Sequence, residues 1–151
     1  MTISFFGHAD FCESEGTKER LLSILRQEVG GREVTFLLGG RGAFDEFARL
    51  CAEEYKRENP LSDLVLVTPY ITLSYQKNHL SQQAERYDEI LYPPIENVPP
   101  RYAISHRNRY MAVCADLVIV YLRHKWGGAY QAFLAAKCAG KQIINLADEK
   151  N

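Results

Sequence analysis

The chain has 151 residues, 46% of them hydrophobic and 25% charged, with a formal net charge of −1. A chain of that length is most simply one domain spanning 1–151, which buries about 70% of the surface its unfolded form exposes, so its core needs no disulfide or metal. Balanced charge removes broad attraction to polyanions and counts against nucleic acid as a partner. There is no basic start followed by a long apolar stretch, and no run nears the roughly 20 apolar residues of a membrane span, so no membrane partner and a cytoplasmic location are expected.

Apolar runs alternate with amphipathic segments, the pattern of a mostly parallel sheet covered by helices on both faces. Strands are expected at about 2–6, 33–38, 63–67, 89–92, 116–121 and 142–146, six in one layer. The fold class is therefore α/β, Rossmann-like and doubly wound. Strand one ends at Gly7-His8. Thr17 is placed to cap a helix that runs through Leu21, Leu22, Leu25 and Val29 and stops at Gly30-Gly31.

After strand two the apolar run breaks into Gly39-Gly40-Arg41-Gly42 and resumes at helical spacing with Phe44, Phe47, Ala48, Cys51 and Tyr55, a buried stripe. A glycine turn between strand and helix aims backbone N–H groups at one point, where the helix dipole also favours an anion. The spacing is neither G-x-G-x-x-G nor G-x-x-x-x-G-K-[ST], and a tight turn that binds nothing fits it equally well.

The connection 69–88 is polar, aromatic and weakly periodic, readable as a lid or as a surface helix with a loose lead-in. Tyr92-Pro93-Pro94 and Val98-Pro99-Pro100 bracket a stiff extended segment, because proline fixes φ and biases its predecessor away from α. Helices should follow at about 100–114 and 128–139, the second ending at Gly140. Cys12, Cys51, Cys114 and Cys138 lie far apart with no zinc spacing and read as reduced thiols, mostly packed in helices, so no metal site is expected. No cofactor is indicated either.

Three glycine stations follow strands: Gly7-His8, Gly39 to Gly42, and Trp126-Gly127-Gly128-Ala129. In an open α/β sheet all three stand at C-terminal strand ends, where ligands bind. The helix from Pro100 brings Arg107 onto one face with Met111, so that Arg107 can reach the sheet crest. Its planar fork suits phosphate, and Asn108 can add sugar or base hydrogen bonds; a solvated basic face is the plain alternative. Trp126 can stack on a base or merely pack at a turn, and His8 can contact a ligand or be a structural histidine.

Three segments together resemble the SLOG superfamily, which groups Lonely Guy phosphoribohydrolases with Smf/DprA proteins and many small uncharacterised bacterial members. They are Gly39 to Asp45; Arg107 to Met111 followed by Ala115 to Val120; and Gly127-Gly128-Ala129 opening a helix. Arg107 stands four before Met111 and nine before Asp116, like the catalytic arginine of the Lonely Guy pattern. Gly127-Gly128 stands for part of that family's P-G-G-x-G-T-x-x-E, but the glutamate position falls on Gln131, which cannot serve as a carboxylate base. Asp45 or Glu46 would have to substitute, unless each merely complements a helix dipole.

The resemblance implies a protein that binds a nucleotide or other phosphorylated ribosyl ligand, as a sensor or as a nucleoside 5′-monophosphate phosphoribohydrolase. Single-stranded DNA binding in the Smf/DprA manner ranks last on charge. Pairing through helices, a homodimer, is also implied by the resemblance.

Overall fold

A computed structural model describes residues 1–70, 85–95 and 97–148. The six strands are β1 (Thr2–Gly7), β2 (Val34–Leu38), β3 (Ser62–Val67), β4 (Glu89–Leu91), β5 (Leu117–Tyr121) and β6 (Gln142–Asn145). The helices are α1 (Thr17–Val29), α2 (Gly42–Glu58), α3 (Ala103–Cys114) and α4 (Gly128–Cys138), with a 3₁₀ turn at Pro100–Tyr102 leading into α3. Most of the 69–88 connection, read from sequence as a lid or a surface helix, lies outside the described residues.

Every neighbouring pair of strands is parallel, in the order β4-β3-β2-β1-β5-β6. The chain steps outward from β1 to β4, then crosses back to lay β5 on the other side of β1. The strand order reverses between β1 and β5, so the connections leaving their C-terminal ends diverge and open a crevice.

Period-two alternation divides the strand side chains between two cores. Ile3, Phe5, Phe36, Leu38, Leu64, Leu66, Leu117 and Ile119 join α1 and α2 on one face. Phe6, Leu37, Val65, Val67, Val118 and Val120 face Met111, Ala112, Ala132 and Ala136 of α3 and α4 on the other. Small alanines on α3 and α4 let those helices sit close, whereas the α1 and α2 side is filled with aromatics. There Phe11 packs edge-on to Phe44 and Tyr121, at ring separations of 5.2 and 4.8 Å. Each fully buried aromatic of this kind contributes about 1.5–3 kcal/mol.

α2 presents the expected stripe, with Phe44, Phe47, Ala48, Cys51 and Tyr55 all buried. The start of α1 differs from expectation: its N-cap is Gly16 in the left-handed region, at φ 85°, with no side-chain cap, and Thr17 is the first helical residue. The Thr17 hydroxyl instead pairs with that of Ser14 at 2.8 Å. Of the four free cysteines only Cys51 is buried; Cys114 and Cys138 lie on helices but are exposed, and Cys12 is exposed outside any helix. Asp116, which precedes β5, accepts the Thr2 N–H at 2.7 Å while its own N–H donates to the Thr2 carbonyl at 2.8 Å. That clamp registers β5 on β1 at the N-terminal end of the sheet, away from the crevice.

Among the described residues no helix is long and apolar enough to cross a membrane.

Candidate functional site

The crevice holds a cavity of about 290 Å³. Phe5, Phe6 and Gly7 of β1 and Met111 of α3 form its apolar floor; Gly39, Arg41, Asp45, Arg107, Asn108, Gly128 and Ala129 supply its polar and glycine rim. Residues from all three glycine stations and from α3 therefore line one cavity. Gly7 belongs there for a steric reason. A Cβ on it would lie 2.2 Å from Cγ of Phe44, which packs directly over the strand end.

Arg107 is 3% exposed and shares its helix face with Met111, which is fully buried. Its Nη1 donates to the carbonyls of Gly39, at 3.0 Å, and Val67, at 2.9 Å, while Nε donates to Asn108 Oδ1 at 2.8 Å. Arg107 thus reaches the sheet crest. There it ties the ends of β2 and β3 together and fixes the glycine turn, using donors that would otherwise be directed at a ligand.

The turn itself is kept open by glycine. Gly40 and Gly42 have φ of 68° and 87°, values that disfavour any side chain. A Cβ on Gly39 would lie 3.0 Å from Asp45 Oδ2 and 3.3 Å from Arg107 Cζ, so the missing side chain is what lets carboxyl and guanidinium converge. Asp45 Oδ2 also accepts the Arg41 N–H at 2.8 Å. The carboxylate therefore sits where an anion would approach the start of α2. Burial pushes the Asp45 carboxyl up to about 6, against the lowering effects of the Arg41 N–H and the Arg107 charge.

The start of α4 is different. Its N-cap, Gly127, has φ 95° and makes no side-chain cap, and no acidic residue stands in the first turn. Its first residues, Gly128 and Ala129, open on the same cavity. A helix start with no carboxyl in its first turn favours an anion. The Arg41 side chain at the cavity rim is held by a 2.6 Å bond from Nη1 to the Tyr70 hydroxyl.

Several candidates from the sequence stand elsewhere. Glu46 is not in the cavity; it pairs with Arg49 at 2.6 Å, and that bond holds its carboxyl below the usual range. Gln131 lines an adjoining groove of about 610 Å³ between α3 and α4, which shares Ile104, Asn108 and Gly128 with the cavity and continues over Val113, Leu134 and Cys138. That groove is the larger of the two, but neither Arg107 nor a strand end lines it. His8 and Trp126 flank the cavity without lining it. His8 is buried, and its Nε2 accepts the backbone N–H of His124 at 3.2 Å. No sequence signal marks His124, which lies in an irregular segment between β5 and the third glycine station.

No family model matches the chain, and no curated protein does. Solved structures do. DNA processing protein A from Helicobacter pylori, whose structure is described by its unique single-stranded DNA binding mode, superposes with a TM-score of 0.62 at 17% identity, over 95% of this chain and 63% of that one. The chain shares its fold with the matched part of that protein. DprA from Streptococcus pneumoniae gives a TM-score of 0.63 at 16% identity, over 94% of this chain and 48% of that one. The described chain thus spans less than two thirds of either DprA protein's length, and at these identities the likeness is one of fold, consistent with the SLOG resemblance.

The expectation that nucleic acid is an unlikely partner is corrected, since a solved protein that shares this fold is described by its single-stranded DNA binding mode. The net charge of a whole chain misleads because phosphates are met by a few local groups, and a chain at −1 still presents Arg41 and an uncapped helix start to one crevice.

Proposed function

We propose that this chain binds nucleotide units, as a free nucleotide or within a single strand of nucleic acid, in the crevice between the ends of β1 and β5. The phosphate sits at the start of α4, on Gly128 and Ala129, with Arg41 as its counter-charge, and Asn108 faces the sugar or base. The supporting observation is that residues from three glycine stations and the buried Arg107 line one cavity at the point where the strand order reverses. The single-stranded DNA binding described for the H. pylori protein, which shares the fold, agrees with it. Gly39 to Gly42 acts as a wall of the crevice, because Asp45 already satisfies the Arg41 N–H.

Calorimetry against AMP, ADP-ribose and a short single-stranded oligonucleotide tests this reading. Saturable binding of at least one is expected, and no heat from any of them at millimolar concentration would refute it.

One observation favours a second reading, N-glycosidic cleavage: Asp45 is a carboxyl inside the crevice whose burial raises it to about 6, within the range useful for general acid chemistry. Release of free base from a nucleoside 5′-monophosphate by the wild type, and its loss in Asp45→Asn, would establish it. A wild type that binds AMP and releases no base on long incubation would exclude it.

A further inference from the structure

The crevice chemistry leaves unused a stack of three rings on its border. His8, 5% exposed at the end of β1, lies face to face with His124, with centroids 3.4 Å apart and planes 12° apart. His124 in turn lies against Trp126 at 3.8 Å and 17°. The outermost ring, Trp126, is 67% exposed.

The stack is anchored from its inner end. The His8 N–H donates to the Tyr121 carbonyl at 3.3 Å, which fixes the residue to the end of β5. Its Nε2 accepts from the His124 backbone, so the ring bridges the two diverging connections. An accepting Nε2 is unprotonated, and burial together with the neighbouring His124 holds the His8 pKa below its usual value. The bridge is therefore intact at neutral pH. His124 is placed between two rings, and its Nε2 lies 4.0 Å from Asp10.

An aromatic side chain packed for stability buries its ring; here the inner ring is buried and the largest one, stacked on His124, is 67% exposed. One face of the indole is covered by His124. Trp126 directly precedes Gly127, the N-cap of the helix on whose first residues, Gly128 and Ala129, the phosphate is placed. His8 likewise adjoins Gly7, which lines the cavity. Holding the indole in place before the ligand arrives removes part of the ordering cost of binding.

We propose that Trp126, backed by His124 and His8, is a stacking platform for the nucleobase of the unit whose phosphate sits at the start of α4. The proposal rests on the nucleotide reading above and narrows it, since the ligand must carry a planar heteroaromatic base beside its phosphate. Stacking on an aromatic ring tolerates any base, so the platform sets a requirement for a base and leaves its identity open.

Trp126 is the sole tryptophan, so its intrinsic fluorescence reports on the platform directly. The probes are AMP with ribose 5-phosphate as its baseless counterpart, and a short deoxyadenosine oligomer with its abasic counterpart. With the wild type, the base-bearing member of each pair that binds should quench the fluorescence saturably and bind roughly tenfold more tightly than its baseless partner. In Trp126→Ala that preference should vanish while the baseless ligand binds as before, and Trp126→Phe should retain most of it. Quenching absent while calorimetry shows base-bearing ligand bound, or an undiminished preference in Trp126→Ala, would overturn the platform and leave the crevice reading standing. Failure of all four probes and of ADP-ribose to bind in calorimetry would overturn both.

Discussion

Asp45 offers a test in which the magnitude follows from the structure. Its carboxyl is raised from 3.8 to about 6 because burial disfavours the charged form more than the Arg41 N–H and Arg107 favour it. The folded protein therefore holds the Asp45 proton more tightly than the unfolded chain does. Below the unfolded value both states are protonated and the group contributes nothing. As pH rises from about 4 to 6 the unfolded chain releases its proton first, and the fold loses stability that it does not regain at higher pH. A shift of about two units corresponds to roughly 2–3 kcal/mol. Asn at this position keeps an acceptor for the Arg41 N–H but cannot ionise. Urea unfolding of wild type and Asp45→Asn across pH 4 to 8 isolates the effect, because Glu46, Glu58 and Asp88, whose pKa values are lowered, cancel in the difference. The variant should gain about 2–3 kcal/mol on the wild type between the ends of that range, with most of the change below pH 7. A difference that stays level from pH 4 to 7 would refute the argument that burial dominates at Asp45.

Three other variants probe the same region. Gly7→Ala places a Cβ 2.2 Å from the fully buried Phe44, which has no space to yield, and should cost about 1–3 kcal/mol in chemical denaturation. Arg107→Lys keeps the charge but cannot span Gly39, Val67 and Asn108 from one head group; about 3 kcal/mol should be lost, seen as a Tm lower by several degrees. Arg41→Ala removes an exposed side chain whose bond to Tyr70 lies at the surface, so stability should stay within about 0.5 kcal/mol while AMP affinity falls and its salt dependence weakens.

Much of this protein is legible in one dimension because its periodicities are local. The stripe Phe44, Phe47, Ala48, Cys51 and Tyr55 needs only the helical repeat to be recognised, and the six strands need only short apolar runs bounded by turn residues. The three glycine stations follow from those strands, since the start of a strand-to-helix turn is where backbone must bend without a side chain in the way. The site residues on α3 came within reach for the same reason: the four-residue interval from Arg107 to Met111 puts both on one face, and the structure buries both. Thr17 yields the cap position to Gly16 because Ser, Thr and Gly all serve as caps, and the choice depends on a left-handed backbone that composition does not reveal.

What tertiary structure alone decided is how the stations divide their work. From sequence, Gly39 to Gly42 and Gly127 to Ala129 are both glycine stations at strand ends; in the fold Asp45 curls back onto the Arg41 N–H, while no acidic residue stands in the first turn of α4. Glu46, one residue further along α2, points at Arg49 because successive helical positions diverge by about 100°, and Gln131 lies in the α3/α4 groove for the same geometric reason. His124 could be found in no motif, because its contacts with His8 and Trp126 depend on how β1 and β5 pair and where their connections part. Local spacing determines which face of an element a side chain takes, whereas only the packed sheet determines what lies opposite that face.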